Sequence, residues 1–205
     1  MQILVIQGGT SAFMRYEDFL EQMRIKPLTL EKYTRNNSDW KKNLHLDLGE
    51  GYTVLLPNMP NRDNAHYVEW KIWFERSFPY LKDGVVLIGH SLGGLFLAKY
   101  LSEEKFPKKI KATFLVAAPF ESGGMSRWEK KTNEFALADS LALFEGQSGS
   151  IFLYHSKDDT QVPYDDLAKY KQALPQARVT VFENRNHINQ EEFPEIIEDI
   201  KSLQK

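Results

Sequence analysis

Residues 87–95 read LIGHSLGGL, an apolar run that stops at Gly89, offers a single serine, and resumes as Leu95-Phe96-Leu97 after two further glycines. In a strand-to-helix turn tight enough to project one side chain above a sheet edge, the apex residue is held in a strained backbone conformation. Its flanks approach too closely for side chains. Gly89 and Gly93 meet that demand around Ser91. Residues 85–88 then supply the strand and residues 92–101 the helix. Leu92, Leu95, Phe96 and Leu97 make that helix apolar nearly all round, as a central buried helix should be. Gly89-His90-Ser91-Leu92-Gly93 therefore fits a nucleophile elbow. The competing reading is a merely structural glycine turn, which the strand and helix on either side disfavour.

Working outward, short apolar and β-branched runs alternate with longer amphipathic segments, the pattern of strand and crossover-helix units around a parallel sheet. Candidate strands are residues 3–6, 53–56, 85–88, 112–117, 151–155 and 179–182. Most are apolar without alternation, as strands covered on both faces are. Trp70, Trp73, Phe74 and Ser77 fall at helical spacing, and so do Phe193, Ile196, Ile197 and Ile200; both groups predict helices packed on the sheet. The first stripe reads as core rather than as a binding box, with only its outermost member available to line a pocket. Residues 26–43 and 121–149 resist assignment. The second of these, entered through Ser122-Gly123-Gly124, is the main insertion candidate and suits a small cap. Its Trp128, Phe135 and Phe144 either seat that cap on the core or present an apolar wall.

The 205 residues, 42% of them hydrophobic, suffice for one domain with a sizeable core. With 26 basic and 28 acidic residues and no block of like charge, the chain lacks the basic stripe of a nucleic-acid binder. The absence of cysteine excludes a disulfide framework, a thiolate nucleophile and a zinc-thiolate site. The first apolar stretch spans only four residues before Gln7, far short of a signal peptide or membrane span. A cytoplasmic protein without membrane association is expected. No phosphate-loop, dinucleotide-binding or zincin motif occurs, so neither cofactor nor metal is expected.

At the elbow the chain resembles the α/β-hydrolase superfamily, and in its small size the lid-poor serine hydrolases of the retinoblastoma-binding-protein type. The resemblance spans nearly the whole chain. It is strongest at residues 89–94, at the stretch HSKDDTQVP (155–163), and at Asn186-His187. It implies a single α/β domain with a six-stranded, mostly parallel sheet in the order 2-1-3-4-5-6, helices on both faces, and the site at the strand C-termini. It also implies a serine, acid, histidine order, which this chain offers at Ser91, Asp159 and His187.

The chemistry behind that order is general. A serine hydroxyl is a poor nucleophile unless a base stands in hydrogen-bond reach, and the base needs a third group to fix its tautomer and stabilise its charged form. Of five histidines, His90 adjoins the serine, where neighbours at a sharp turn point apart. His155 ends a strand and reads as a packing or loop-orienting residue. His45 and His66 precede the elbow, the wrong order for the superfamily. His187 follows the last predicted strand in a loop, where function concentrates.

The adjacent Asp158 and Asp159 compete for the role of acid. The superfamily pattern H-G-x-x-D-x-x-V-P maps onto Asp159 with Val162 and Pro163 in register; Ser156 replaces the usual glycine, and Asp158 becomes a loop carboxylate or turn former. A metal site on His155, Asp158 and Asp159 needs more assumptions. Acyl transfer also needs donors for an oxyanion. By resemblance these are the amides of Leu92 and of Gly9, although Gln7 stands where the superfamily places histidine and a plain Gly-Gly turn competes.

The expected activity is hydrolysis of small esters or related acyl substrates through an acyl-serine, most simply as a carboxylesterase. The alternative is a non-catalytic binding or scaffold protein on the same fold. Natural substrate and oligomeric state are not legible in the sequence.

Overall fold

A computed structural model describes residues 1–10, 16–27, 30, 39–120 and 134–204. Its six strands are β1 (Gln2–Ile6), β2 (Thr53–Leu55), β3 (Val85–His90), β4 (Ile110–Val116), β5 (Ser150–Ser156) and β6 (Arg178–Phe182). They form one sheet in the order β2-β1-β3-β4-β5-β6, and every neighbouring pair is parallel. The helices are α1 (Tyr16–Ile25), α2 (Trp40–Leu48), α3 (Tyr67–Glu75), α4 (Leu92–Glu103), α5 (Ala142–Gln147), α6 (Asp165–Ala173) and α7 (Pro194–Ser202). This is the α/β architecture and strand order expected, with a sheet wholly rather than mostly parallel.

Successive side chains of a strand point to opposite faces, and the continuous apolar runs accordingly feed two cores. Leu4, Ile6 and Leu87 pack with α3, α4, α5 and α6 through Trp70, Phe74, Phe96, Phe144 and Tyr170. Ile3, Val5, Val86 and Ile88 pack on the other side with Trp40 and Leu44 of α2 and with Ile196 and Ile200 of α7. All six residues of β3 are buried, which accounts for the absence of alternation in its sequence. Aromatic rings knit both faces: Phe114 stacks on Phe152 at 4.4 Å, and Phe74 meets Phe96 edge to face at 5.3 Å. Such pairs contribute about 0.5–1.5 kcal/mol beyond their buried area.

Two expectations need adjustment. Trp73 does not join the core stripe: it is 44% exposed beneath the Arg76 guanidinium, whereas Trp70 and Phe74 are buried. Trp70 and Phe74 share their face with the buried Tyr67, and Trp73 is rotated about 100° from Phe74 toward solvent. Ser77 lies beyond the end of α3, where its hydroxyl donates to the Phe74 carbonyl at 2.6 Å. Phe135 and Phe144 are fully buried and fill the core rather than lining a wall. Residues 121–133, including Trp128 and the Ser122-Gly123-Gly124 entry, lie outside the described residues. Among the described residues no helix is long and apolar enough to cross a membrane.

Candidate active site

In a parallel sheet all loops leaving strand C-termini share one edge. Gly8 and Gly9 follow β1, Ser91 follows β3, Asp159 follows β5 and His187 follows β6, so the fold delivers every candidate residue to that edge.

Ser91 caps α4 with φ 55° and ψ −129°, a conformation an L-residue adopts rarely. Its amide donates to the Val116 carbonyl at 2.8 Å, and its carbonyl accepts from Gly94 at 2.8 Å, so sheet and helix together hold the turn. The glycines are required by close approach. A Cβ on Gly93 would lie 2.1 Å from the Ile6 carbonyl oxygen, and one on Gly89 2.5 Å from the Gly94 Cα. A Cβ on Gly8 would stand 2.7 Å from that of Ser91. The loop after β1 therefore passes directly against Ser91. That loop is laced to the turn at 62–65: Arg62 Nε donates to the Gly8 carbonyl at 2.8 Å, Thr10 donates to the Arg62 carbonyl at 2.7 Å, and Ala65 donates to the Thr10 carbonyl at 2.8 Å. Among the described residues, neither the Gly9 amide nor the Leu92 amide has an intramolecular acceptor.

His187 and Asp159 meet, with Nδ1 2.8 Å from Oδ2, and both side chains are buried. A carboxylate oxygen only accepts, so Nδ1 carries the proton and Nε2 is left as the basic nitrogen. The other carboxylate oxygen, Oδ1, accepts from the amides of Gln161 at 2.8 Å and Val162 at 3.0 Å. Burial opposes ionisation of Asp159, but the bonds from His187, Val162 and Gln161 prevail and hold its carboxyl below the ordinary range.

Asp158 turns elsewhere. Its Oδ1 accepts from the Ser156 hydroxyl at 2.5 Å and from the Asn186 amide at 2.8 Å, bonds that lower its pKa in that order of importance. Ser156 Oγ in turn accepts from the Arg185 amide at 2.8 Å. The serine that departs from the superfamily pattern thus fastens the loop after β5 to the loop after β6. His155 Nε2 stands 3.2 Å from the Val162 carbonyl and 4.0 Å from Asp159 Oδ2, and burial lowers its pKa; it braces the Asp159 loop. His66 pairs with Glu134 and His45 with the Lys42 carbonyl.

Sequence reasoning missed two supports. Trp40, buried at the start of α2, donates from Nε1 to the Ile188 carbonyl at 2.8 Å, while its backbone amide donates to Gln190 at 2.9 Å. The Asp39 carboxylate caps the same helix by accepting from Lys41 and Lys42. His90, set aside as a base, donates from Nε2 to the carbonyl of His187 at 2.8 Å. An aspartate followed by tryptophan was the available signal for the first, as a helix start; nothing local signals the second.

A six-stranded parallel sheet with an elbow serine and a histidine–carboxylate pair at its C-terminal edge defines an α/β hydrolase. The YdeN protein of Bacillus subtilis superposes with a TM-score of 0.70 at 16% identity, covering 99% of this chain and 98% of that one. The esterase RhEst1 of a Rhodococcus superposes with 0.62 at 12% identity, covering 100% and 90%. The sequence profile of the family described as Serine hydrolase matches residues 33–203, and the chain belongs to that family. The rat serine hydrolase RBBP9 is 24% identical over 153 residues, 75% of this chain and 78% of that protein, so this is a small serine hydrolase of the RBBP9 type.

Proposed function

We propose that the protein is a carboxylesterase for small esters, with Ser91 as nucleophile, His187 as general base, Asp159 as the orienting acid, and the amides of Gly9 and Leu92 as the oxyanion hole. The single observation that carries this reading is the His187–Asp159 bond of 2.8 Å, formed by loops that end on the same sheet edge as the strained Ser91. Ser91 Oγ adds to the ester carbonyl carbon while His187 Nε2 takes its proton. The carbonyl oxygen becomes an oxyanion met by the two free amides. Collapse breaks the bond to the alcohol, which leaves with the proton from His187. Water then adds to the acyl-serine, its proton passing to the same nitrogen, and a second collapse releases the carboxylic acid and restores the hydroxyl. Each step conserves protons within the site, so no cofactor is called for.

The burial of Phe135 and Phe144 in the core supports a shallow acyl site. A small-molecule ester in the cytoplasm is the substrate setting that fits this reading. Hydrolysis of an activated short-chain ester by the pure protein tests it. We expect turnover that Ser91→Ala lowers by roughly 10⁴- to 10⁶-fold in kcat; equal turnover by both proteins contradicts it.

A further inference from the structure

We propose that His90 is a positioning residue for the base, its ring imidazole gripping the backbone of His187 so that one dipeptide, His90-Ser91, fixes both the nucleophile and the residue that activates it. The inference rests on the reading of His187 as the base.

The segment that carries His187 is held in an uncommon shape. Asn186 and Ile188, on either side of it, have φ of 46° and 49°. For a β-branched residue such as Ile188 this region is sparsely populated, and it persists only where the surroundings over-determine it. The surroundings supply three bonds to this segment besides those of the Asp159 loop. Ile188 donates to the Arg185 carbonyl at 3.0 Å, Trp40 Nε1 donates to the Ile188 carbonyl at 2.8 Å, and His90 Nε2 donates to the His187 carbonyl at 2.8 Å. Only the last comes from the peptide that also contains the nucleophile.

The His90 ring is buried, 3% exposed, and is sandwiched between partners: its centroid lies 4.9 Å from that of His187 and 6.1 Å from that of Trp40, which it meets at 83°. Burial, and then the charges of Lys41 and His187, keep His90 neutral well below the ordinary histidine range. A neutral ring whose Nε2 faces a carbonyl oxygen carries its proton there and donates. His90 is thereby fixed in tautomer, orientation and charge, the conditions a rigid spacer needs. Placement of a base to within a fraction of an ångström matters because a misplacement of about 1 Å costs on the order of 10²-fold in rate.

The experiment compares His90→Phe, His90→Gln and His90→Asn in the full chain, with kcat and KM measured separately on an activated short-chain ester. Phenylalanine keeps the ring and removes the donor. Glutamine carries its amide nitrogen as many bonds from Cβ as the imidazole Nε2, and asparagine falls one bond short. We expect His90→Phe to lower kcat by about 10²-fold with KM within about twofold of the parent, His90→Gln to recover kcat to within about tenfold, and His90→Asn to stay low. A merely packed histidine does not produce that ranking. A cooperatively folded His90→Phe with kcat within about threefold of the parent, or Asn recovering as well as Gln, overturns the proposal. If His90→Phe fails to unfold cooperatively, the Gln and Asn pair decides alone. Ser91→Ala and His187→Ala run beside them separate the two levels: parental activity in either one sinks the reading of the base and the proposal with it, whereas inactivity in both beside a fully active His90→Phe sinks the role of His90 alone.

Discussion

The Asp159 carboxylate binds His187 Nδ1 through one oxygen at 2.8 Å and is itself pinned through the other by the amides of Gln161 and Val162. With one oxygen bonded to the histidine and the other to two backbone amides, the carboxylate is held against rotation, and the histidine is held with it. Asp159→Asn presents either an amide to Nδ1 or an altered set of backbone contacts, and it stabilises the wrong tautomer; we expect a loss of about 10⁴ in kcat with the fold retained. Asp158→Asn keeps an oxygen for the Ser156 hydroxyl and the Asn186 amide, and should cost less than about tenfold. Steady-state kinetics of the two variants decide the assignment, and the reverse ranking reassigns the acid.

The missing side chain of Gly8 lets the loop after β1 approach Ser91, and that of Gly93 lets α4 approach β1. Gly8→Ala places a methyl 2.7 Å from Ser91 Cβ and 3.2 Å from both its Oγ and the His90 carbonyl oxygen, contacts that press on the turn at Ser91 itself. Gly93→Ala drives a methyl to 2.1 Å from a backbone oxygen of the central sheet, where nothing can yield. Chemical denaturation should show Gly93→Ala destabilised by about 3 kcal/mol or more. Gly8→Ala should instead lose about 10²-fold in kcat while remaining folded at room temperature.

Much of this was legible because burial is written into composition. Most of the strands stand out as apolar runs without alternation, and the elbow stands out because close approach at residues 89 and 93 leaves glycine as the residue that fits. Strand order came through the resemblance alone. Helix α1 was missed although Tyr16, Phe19, Leu20 and Met23 fall at helical spacing; the stripe is one helix long and its ends, Tyr16 and Met23, are exposed rather than packed in the core. The start of α2 was hidden in residues 26–43 because Trp40 is buried by partners some 148 positions away, a relation no local pattern encodes. His90 was read as turned away from Ser91, and its ring packs against Trp40. The same argument concealed its bond to the His187 carbonyl. Asp158 and Asp159 differ only in which loop atoms their oxygens reach, and those atoms come from β6 and from the turn after β5.

Two buried histidines make stability pH-dependent. His90 and His155 have pKa values lowered chiefly by burial, with Lys41, His187 and Arg62 adding to the effect at His90. The unfolded chain takes up protons below pH 6.5 that the folded chain refuses, so stability is full above that pH and declines as pH falls toward the folded values. Each such histidine adds at most about 1.4 kcal/mol per pH unit to the slope. Urea denaturation between pH 7.5 and 5.5 should show the decline, and His90→Gln should flatten it; an unchanged slope in that variant contradicts the assignment.

Trp40→Phe removes the indole donor and strands the Ile188 carbonyl in a buried place. We expect about 1–3 kcal/mol of lost stability. The exchange of amides in residues 186–190 should quicken before that of the strands, as a locally loosened loop does.

Acyl-chain dependence tests the shallow site. Each methylene that enters the pocket contributes about 0.8 kcal/mol, and one left in water contributes nothing. kcat/KM for a series of alkanoyl esters should peak at roughly two to six carbons, the range a shallow site can bury. A profile that climbs through long-chain esters refutes the shallow site.

The central claim is that Ser91 is the nucleophile. Covalent labelling with a serine-directed phosphonate, followed by mass spectrometry of the digested protein, reads it without reference to any natural substrate. The wild-type chain should carry one adduct, on the peptide that contains Ser91, and Ser91→Ala should carry none. An adduct on another serine, or labelling of Ser91→Ala at the parental rate, contradicts the assignment outright.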